Sequence, residues 1–348
     1  MGLIVVAADK GAPGVTTTAL ALAAVWPRPV LLAECDPAGG DLAFRFPAAD
    51  GQRLDPRQGM LSLAVTVRHG IQPGQVWEHA QKLYGGIDVL LGVTNAEQGA
   101  SLSMFWGQLG QVLAGVPQAD VIADCGRLGT DGPATDLIAE ASQVLLLTRA
   151  EVGEVVRLRD RAVALAAAVE KRGRRGFIAD VAVIAGQKNF QAELAEVGHV
   201  LSAGRAPARV LGGIASDPKA AGLLRGPWGG KLDKSLLVRS VRDIAGQLVA
   251  GMPAQAIASL PDPGSRHAAD PWADPRAEPR PDPRPGYERP PKERPVGQRA
   301  RQGPEPAGSE YAGYERVPRF SPAADPRPDD AGQPGQGQPG QVPQHRGR

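Results

Sequence analysis

The sequence has little cysteine, few aromatic residues and almost no net charge, and it contains no long apolar run. Cys35 and Cys125 are its two cysteines. They lack C-x-x-C spacing and supply too few ligands for a zinc site, so free thiols in a reducing compartment are expected. The formal charge is +2, from 39 basic and 37 acidic residues. That balance gives no sign of the clustered positive field that non-specific DNA binding needs. One local concentration, Lys171, Arg172, Arg174 and Arg175, reads as the solvated C-terminal end of a helix, where the dipole favours cations; a DNA contact is the alternative. No apolar stretch approaches the roughly 18 residues that span a bilayer. The opening segment Met1–Ala8 is apolar but lacks a basic leader and runs into a glycine loop, so it reads as a buried strand rather than a signal peptide. A cytoplasmic protein is expected, with a partner as the route to any membrane. The histidines (His69, His79, His199, His267, His345) show no ligand spacing and are expected in ordinary surface or core roles.

The chain is instead rich in alternation. Hydrophobic residues make up 42% of it and lie mostly upstream of Leu260, enough for a sizeable core. Short apolar runs at 3–8, 30–33, 87–91, 121–123, 144–147, 181–185 and 210–214 predict strands buried on both faces. Segments of helical period lie between them, notably 16–25, 97–113, 151–171, 190–201 and 236–249. Strands alternating with helices imply βαβ units: an α/β domain over 1–250 whose mainly parallel sheet carries helices on both faces. From Pro261 onward the composition changes. That stretch holds 20 of the 33 prolines and few aliphatic residues. Residues 251–348 therefore read as a Pro/Gly/Arg-rich disordered tail that buries too little apolar surface to offset ordering entropy. Gly286-Tyr287-Glu288-Arg289 recurs there as Gly313-Tyr314-Glu315-Arg316, by low-complexity drift or as a pair of docking motifs.

The sharpest local signal is Lys10-Gly11-Ala12-Pro13-Gly14-Val15-Thr16-Thr17, between a predicted strand and a predicted helix. Such a loop cradles phosphate: glycines admit the phosphate oxygens, the helix N-terminus offers free N–H groups, and Thr16 can place its hydroxyl on Mg²⁺. Two residues of the G-x-x-x-x-G-K-[ST] pattern are replaced. Asp9 stands for the first glycine and Val15 for the lysine that reaches the β- and γ-phosphates.

The segment resembles the deviant Walker A motif of the MinD/ParA group of P-loop ATPases, in which Lys10 matches the signature lysine. Val30-Leu31-Leu32-Ala33-Glu34-Cys35-Asp36-Pro37 is similar to the family's second-strand motif, and Val121-Ile122-Ala123-Asp124 to its Walker B strand. Gly39-Gly40-Asp41-Leu42-Ala43, Leu145–Thr148 and Val210-Leu211-Gly212-Gly213-Ile214-Ala215-Ser216-Asp217-Pro218 continue the match in order. The resemblance implies bound ATP and Mg²⁺. Gly11, Ala12, Pro13, Gly14, Val15, Thr16 and Thr17 would form the phosphate cradle, and Asp217 and Pro218 would lie near the base. Thr16 and Asp124 would serve the metal, and Asp36 and Lys10 the attacking water and the nucleotide across a homodimer. The Asn that many relatives place near adenine is not evident; Gly186-Gln187-Lys188 stands there. Read by itself, each aspartate could also simply cap the turn after its strand, and Glu34 could satisfy a local backbone donor. Cys35 and Cys125 read as packing residues.

Two functions remain open. The Asp-Pro-x-Gly-Gly-Asp-Leu-Ala stretch resembles the CpaE/TadZ-like branch. That implies a spatial scaffold with weak or absent ATPase activity, for a pilus or type II/IV secretion (Tad-like) motor ATPase or another assembly protein. The alternative is an active ATPase of chromosome or plasmid partitioning.

Overall fold

A computed structural model describes residues 1–252, except Lys10, Ala12, Thr130, Asp131, Pro133, Gln187 and 225–229. Of the expected tail only Gly251, which ends the last helix, and Met252 are described; the rest, with its repeated Gly-Tyr-Glu-Arg, lies outside the described residues, as do Lys10 and Ala12 of the loop.

The first strand, β1 (Leu3–Ala8), is buried throughout. Successive side chains point to opposite faces, so Leu3, Val5 and Ala7 enter one apolar cluster while Ile4, Val6 and Ala8 enter another. A strand apolar at every position is thus covered on both sides. The other elements are α1 (Val15–Val25), β2 (Val30–Glu34), α2 (Leu42–Arg45), α3 (Met60–Val67), β3 (Gln81–Lys82) and β4 (Asp88–Leu90). They continue with α4 (Ala96–Ser101), α5 (Trp106–Ala114), β5 (Asp120–Arg127), α6 (Ala134–Glu140), β6 (Gln143–Thr148) and α7 (Val152–Lys171). The series ends with β7 (Ala179–Ala185), α8 (Phe190–Ala203), β8 (Ala208–Ala215), α9 (Pro218–Leu223) and α10 (Leu236–Gly251).

The strands form one sheet in the order β3-β4-β2-β5-β1-β6-β7-β8. Every neighbouring pair is parallel except β3 with β4. Helices cover both faces. α1 and α10 pack on one, α10 through Leu237, Val238, Val241, Ile244, Ala245 and Leu248. α3, α5, α6, α7 and α8 pack on the other, α7 through Val155, Leu158, Ala162, Leu165 and Val169. These spacings of three and four residues put one apolar stripe on each helix. β1 sits between β5 and β6; the chain leaves β1 to one side, toward β2, and leaves β5 to the other, toward β6. The carboxyl ends of the strands at such a switch point form the crevice in which open α/β sheets bind ligands.

One expected element is divided. The stretch 97–113 is not a single helix: α4 ends at Ser101, a 3-10 segment covers Ser103–Phe105, and α5 begins at Trp106. Tertiary contact explains the break. Gly99 lies so close to the Pro37 carbonyl that any Cβ would collide with it, which fixes α4 beside the loop after β2. α5 must present Trp106, Leu109 and Leu113 to the core, and the 3-10 turn re-aims the chain between the two tasks.

At the opposite end of the sheet Asp120 is fully buried. It accepts hydrogen bonds from Gly2 N and Trp26 Nε1, both at 2.8 Å, and lies 2.8 Å from Arg28 Nε. A buried carboxylate tolerates desolvation when it is paired in this way. It ties the start of β1 to the segment leaving α1 and leaves the carboxyl edge free for chemistry. Among the described residues no helix is long and apolar enough to cross a membrane.

Candidate functional site

The loop after β1 ends in Gly14, whose φ of 65° is left-handed, a conformation glycine adopts without steric cost. No side chain caps α1, which starts at Val15. Its first-turn N–H groups are therefore available to an anion. Val15 is 2% exposed and belongs to the cluster around α1 and α10. In the lysine's place stands a core side chain that contributes no charge.

Thr16, by contrast, faces an acid. Its hydroxyl is hydrogen-bonded to the Asp124 carboxylate. Asp124 lies inside β5 rather than at its end, because the strand continues to Arg127. Burial pushes the Asp124 pKa from 3.8 up to about 7, against the lowering by Thr16 and by the Gly126 amide (N to Oδ1, 3.1 Å), with Glu34 and Asp36 raising it further. A buried carboxylate with acidic neighbours and a hydroxyl beside it is a donor set suited to a hard divalent cation. Mg²⁺ characteristically takes one or two protein oxygens and completes its shell with water and nucleotide oxygens. Such a site needs no larger acidic cluster, and none of three or more metal-binding side chains occurs among the described residues.

Asp36 follows β2 and meets Asp124 from the neighbouring strand. Its Oδ1 accepts from Ala38 N at 2.8 Å, the Arg127 amide also donates to the carboxylate, and burial pushes its pKa up against both. Gly126 makes the approach possible. It is left-handed, with φ 55°, and a Cβ there would overlap the Asp36 carboxylate. The Asp124-x-Gly126 spacing is thus a steric requirement of placing Asp36.

Glu34 does more than satisfy a local donor. Its carboxylate accepts from Leu42 N and, 58 residues away, from Gly92 N, both at 3.0 Å. It holds the Asp36–Leu42 loop against the segment after β4. Cys35 and Cys125 are both buried. The neighbouring Cys35 thiol and burial push Cys125 well above the ordinary thiol value, which suits packing and disfavours a reactive thiolate.

A separate cavity of about 180 Å³ is lined by Pro13, Gly14 and Thr17 of the loop and first turn, by Arg149, and by Ser216, Asp217 and Pro218. Asp217 also caps α9, accepting from Ala220 N at 3.0 Å. Of the described expected residues, Thr16, Asp124 and Asp36 lie around the acids, and Pro13, Gly14, Thr17, Asp217 and Pro218 around the cavity; Val15 lies in the core and exposed Gly11 in neither group. A cavity of about 460 Å³ lies elsewhere, between α6 and α7. Its Arg172 is paired with Asp136, and its Arg161 with Asp9.

That last pair escaped the sequence reading. Asp9, where the P-loop pattern has glycine, is bound by Arg161 of α7, which also donates to the Gly129 carbonyl at 2.9 Å. One arginine so joins the phosphate loop to the segment after β5. A separation of 152 residues leaves no local signal for it. The basic cluster after α7 resolves as structural in part: Arg172 also reaches the Ala168 carbonyl, and Arg174 caps the carbonyls of Ala139, Ala141 and Ser142.

No protein-family model matches the chain, and no curated protein matches its sequence. Solved structures do. A ParA family ATPase from Chlorobium tepidum TLS is 14% identical, with TM-score 0.54, covering 70% of this chain and 98% of its own. The Cyanothece McdA(D38A)–ATP complex is 18% identical, with TM-score 0.51, covering 74% and 98%. The septum site-determining protein MinD from Pyrococcus horikoshii OT3, complexed with Mg-ADP, is 16% identical, with TM-score 0.50, covering 72% and 96%. The fold is that of the MinD/ParA ATPases. Asp9 and Val15 stand where the G-x-x-x-x-G-K-[ST] pattern has glycine and lysine. Asp9 has been recruited into an ion pair and Val15 into the core.

Proposed function

We propose that the chain is a degenerate MinD/ParA-like protein that binds ATP with Mg²⁺, hydrolyses it weakly, and serves as a spatial scaffold for another assembly. The observation that carries this reading is Val15, buried where the lysine would stand, beside the Thr16–Asp124 pair and a placed Asp36. The α1 N-terminus would hold phosphate through its free N–H groups. Thr16 and Asp124 would hold Mg²⁺, which when bound supplies charge neutralisation at the phosphate oxygens. Asp36 would orient water. A missing charge-assisted contact weakens ground-state binding by about 1.5–3 kcal/mol and weakens the transition state more, where charge develops. The same arrangement that still binds nucleotide is therefore slow to cleave it. The similar structures that carry Mg-ADP or ATP support the choice of ligand.

In this reading the domain is residues 1–250, the protein is a cytoplasmic homodimer, and the segment 251–348 is a flexible arm. The partner is a pilus or secretion motor ATPase or another assembly component. The placement of Asp36 favours a second reading, a working partitioning ATPase. Turnover by the full chain separates the two. The scaffold reading expects ATP hydrolysis only slightly above background, brought to background by Asp36→Ala and unchanged by added DNA. Robust turnover that disappears in Asp36→Ala would replace it with the ATPase reading.

A further inference from the structure

We infer that Arg149 contacts the α-phosphate of the nucleotide and so offsets part of the positive charge missing at Val15. The inference rests on the nucleotide-binding reading and adds a residue to it that no motif indicates.

Position comes first. β6 runs beside β1 in parallel register, Leu147 opposite Ala8, so Arg149 leaves the sheet edge next to the phosphate loop. It lines the 180 Å³ cavity together with Pro13, Gly14 and Thr17 on one side and Asp217 and Pro218 on the other. Among the described residues it is the sole basic side chain there. Thr16 turns toward Asp124, which places the metal-bound end of a nucleotide on that side. The base end belongs by Asp217 and Pro218. The segment spanning the two is the α-phosphate and ribose, and Arg149 stands at that span.

The residue is held by its backbone and only loosely paired at its tip. Arg149 N donates to Glu154 Oε2 at 3.0 Å, and its carbonyl accepts from Thr148 Oγ1 at 2.9 Å. The guanidinium makes one long contact, Nη1 to Glu154 Oε1 at 3.5 Å, and its side chain is 50% exposed. Glu151, Glu193 and Glu196 line an adjoining cavity that Arg149 also borders, so the surroundings are acidic and the cation has no tight partner to leave. A planar guanidinium with five donors suits phosphate oxygens.

The test measures affinities of the full chain for ATP, ADP, AMP and adenosine with Mg²⁺, adenosine by ligand-observed NMR. Arg149→Ala should weaken all three nucleotides by about tenfold or more, the effect of one charge-assisted hydrogen bond. Adenosine binding and the thermal midpoint should stay unchanged. Arg149→Lys should recover part of the loss, and Glu154→Gln, which frees the guanidinium, should tighten the nucleotides. Equal weakening of adenosine would assign Arg149 to base stacking or packing and overturn the inference. Wild-type binding that Arg149→Ala leaves intact would overturn it alone; no binding by the wild type would overturn the nucleotide reading with it.

Discussion

Asp124→Asn should stabilise the metal-free protein in alkaline buffer while abolishing its metal-dependent binding. The folded-state pKa of Asp124 is about 7, above its ordinary 3.8. The folded state therefore holds more protons than the unfolded state between those values. The contribution of this carboxyl to stability is fully present below pH 3.8 and is lost as pH rises through 7. Asparagine keeps an oxygen for Thr16 and the Gly126 amide and carries no charge to bury. Denaturant unfolding in EDTA should show the variant ahead by up to about 4 kcal/mol at pH 8, with the two proteins converging toward pH 4. The same variant should lose Mg²⁺-dependent nucleotide binding, because the cation needs the ionised carboxylate. A variant less stable than the wild type at pH 8 would show that Asp124 is held as a stabilised anion.

Val15→Lys should act in the opposite direction on the two properties. Val15 is packed among apolar side chains around α1, so a lysine there must lead its ammonium out through the loop. Without ligand this costs stability, and the thermal midpoint should fall. With ligand the ammonium meets phosphate, and ATP affinity should rise by about tenfold to a hundredfold, the factor for a charge-assisted contact. Turnover should rise further if Asp36 is competent, because the charge acts most strongly in the transition state. Calorimetric titration and a phosphate-release assay measure the two effects. Unchanged affinity with a lowered midpoint would mean that the loop around Val15 has lost the path to the phosphates.

The strands were legible because a parallel sheet covered on both faces writes itself as uninterrupted apolar runs, as 3–8 and 144–147 illustrate. Long helices such as α7 and α10 were legible from period. α2, α9 and β3 are shorter than any period can reveal. The break between α4 and α5 is decided by Gly99 against Pro37, a contact across 62 positions that propensity cannot register. Thr16 stands out after a glycine loop, and Asp36 and Asp124 after apolar runs, in a fixed order along the chain. For Glu34 the local donor, Leu42 N, is within reach of a sequence reading, whereas the second, Gly92 N, is remote in sequence. By sequence Asp9 only replaces a glycine of the loop pattern; its partner on α7, Arg161, lies 152 residues away. Arg149 carries no motif at all; only the pairing of β6 with β1 brings it to the phosphate loop.

The most direct measurement is an ATP titration of the full wild-type chain with and without Mg²⁺, beside Thr16→Ala. The account predicts saturable binding with a Kd at or below about 1 mM, dependent on Mg²⁺ and lost in Thr16→Ala. Binding that fails to appear at that concentration, or that ignores both the metal and Thr16, would contradict it.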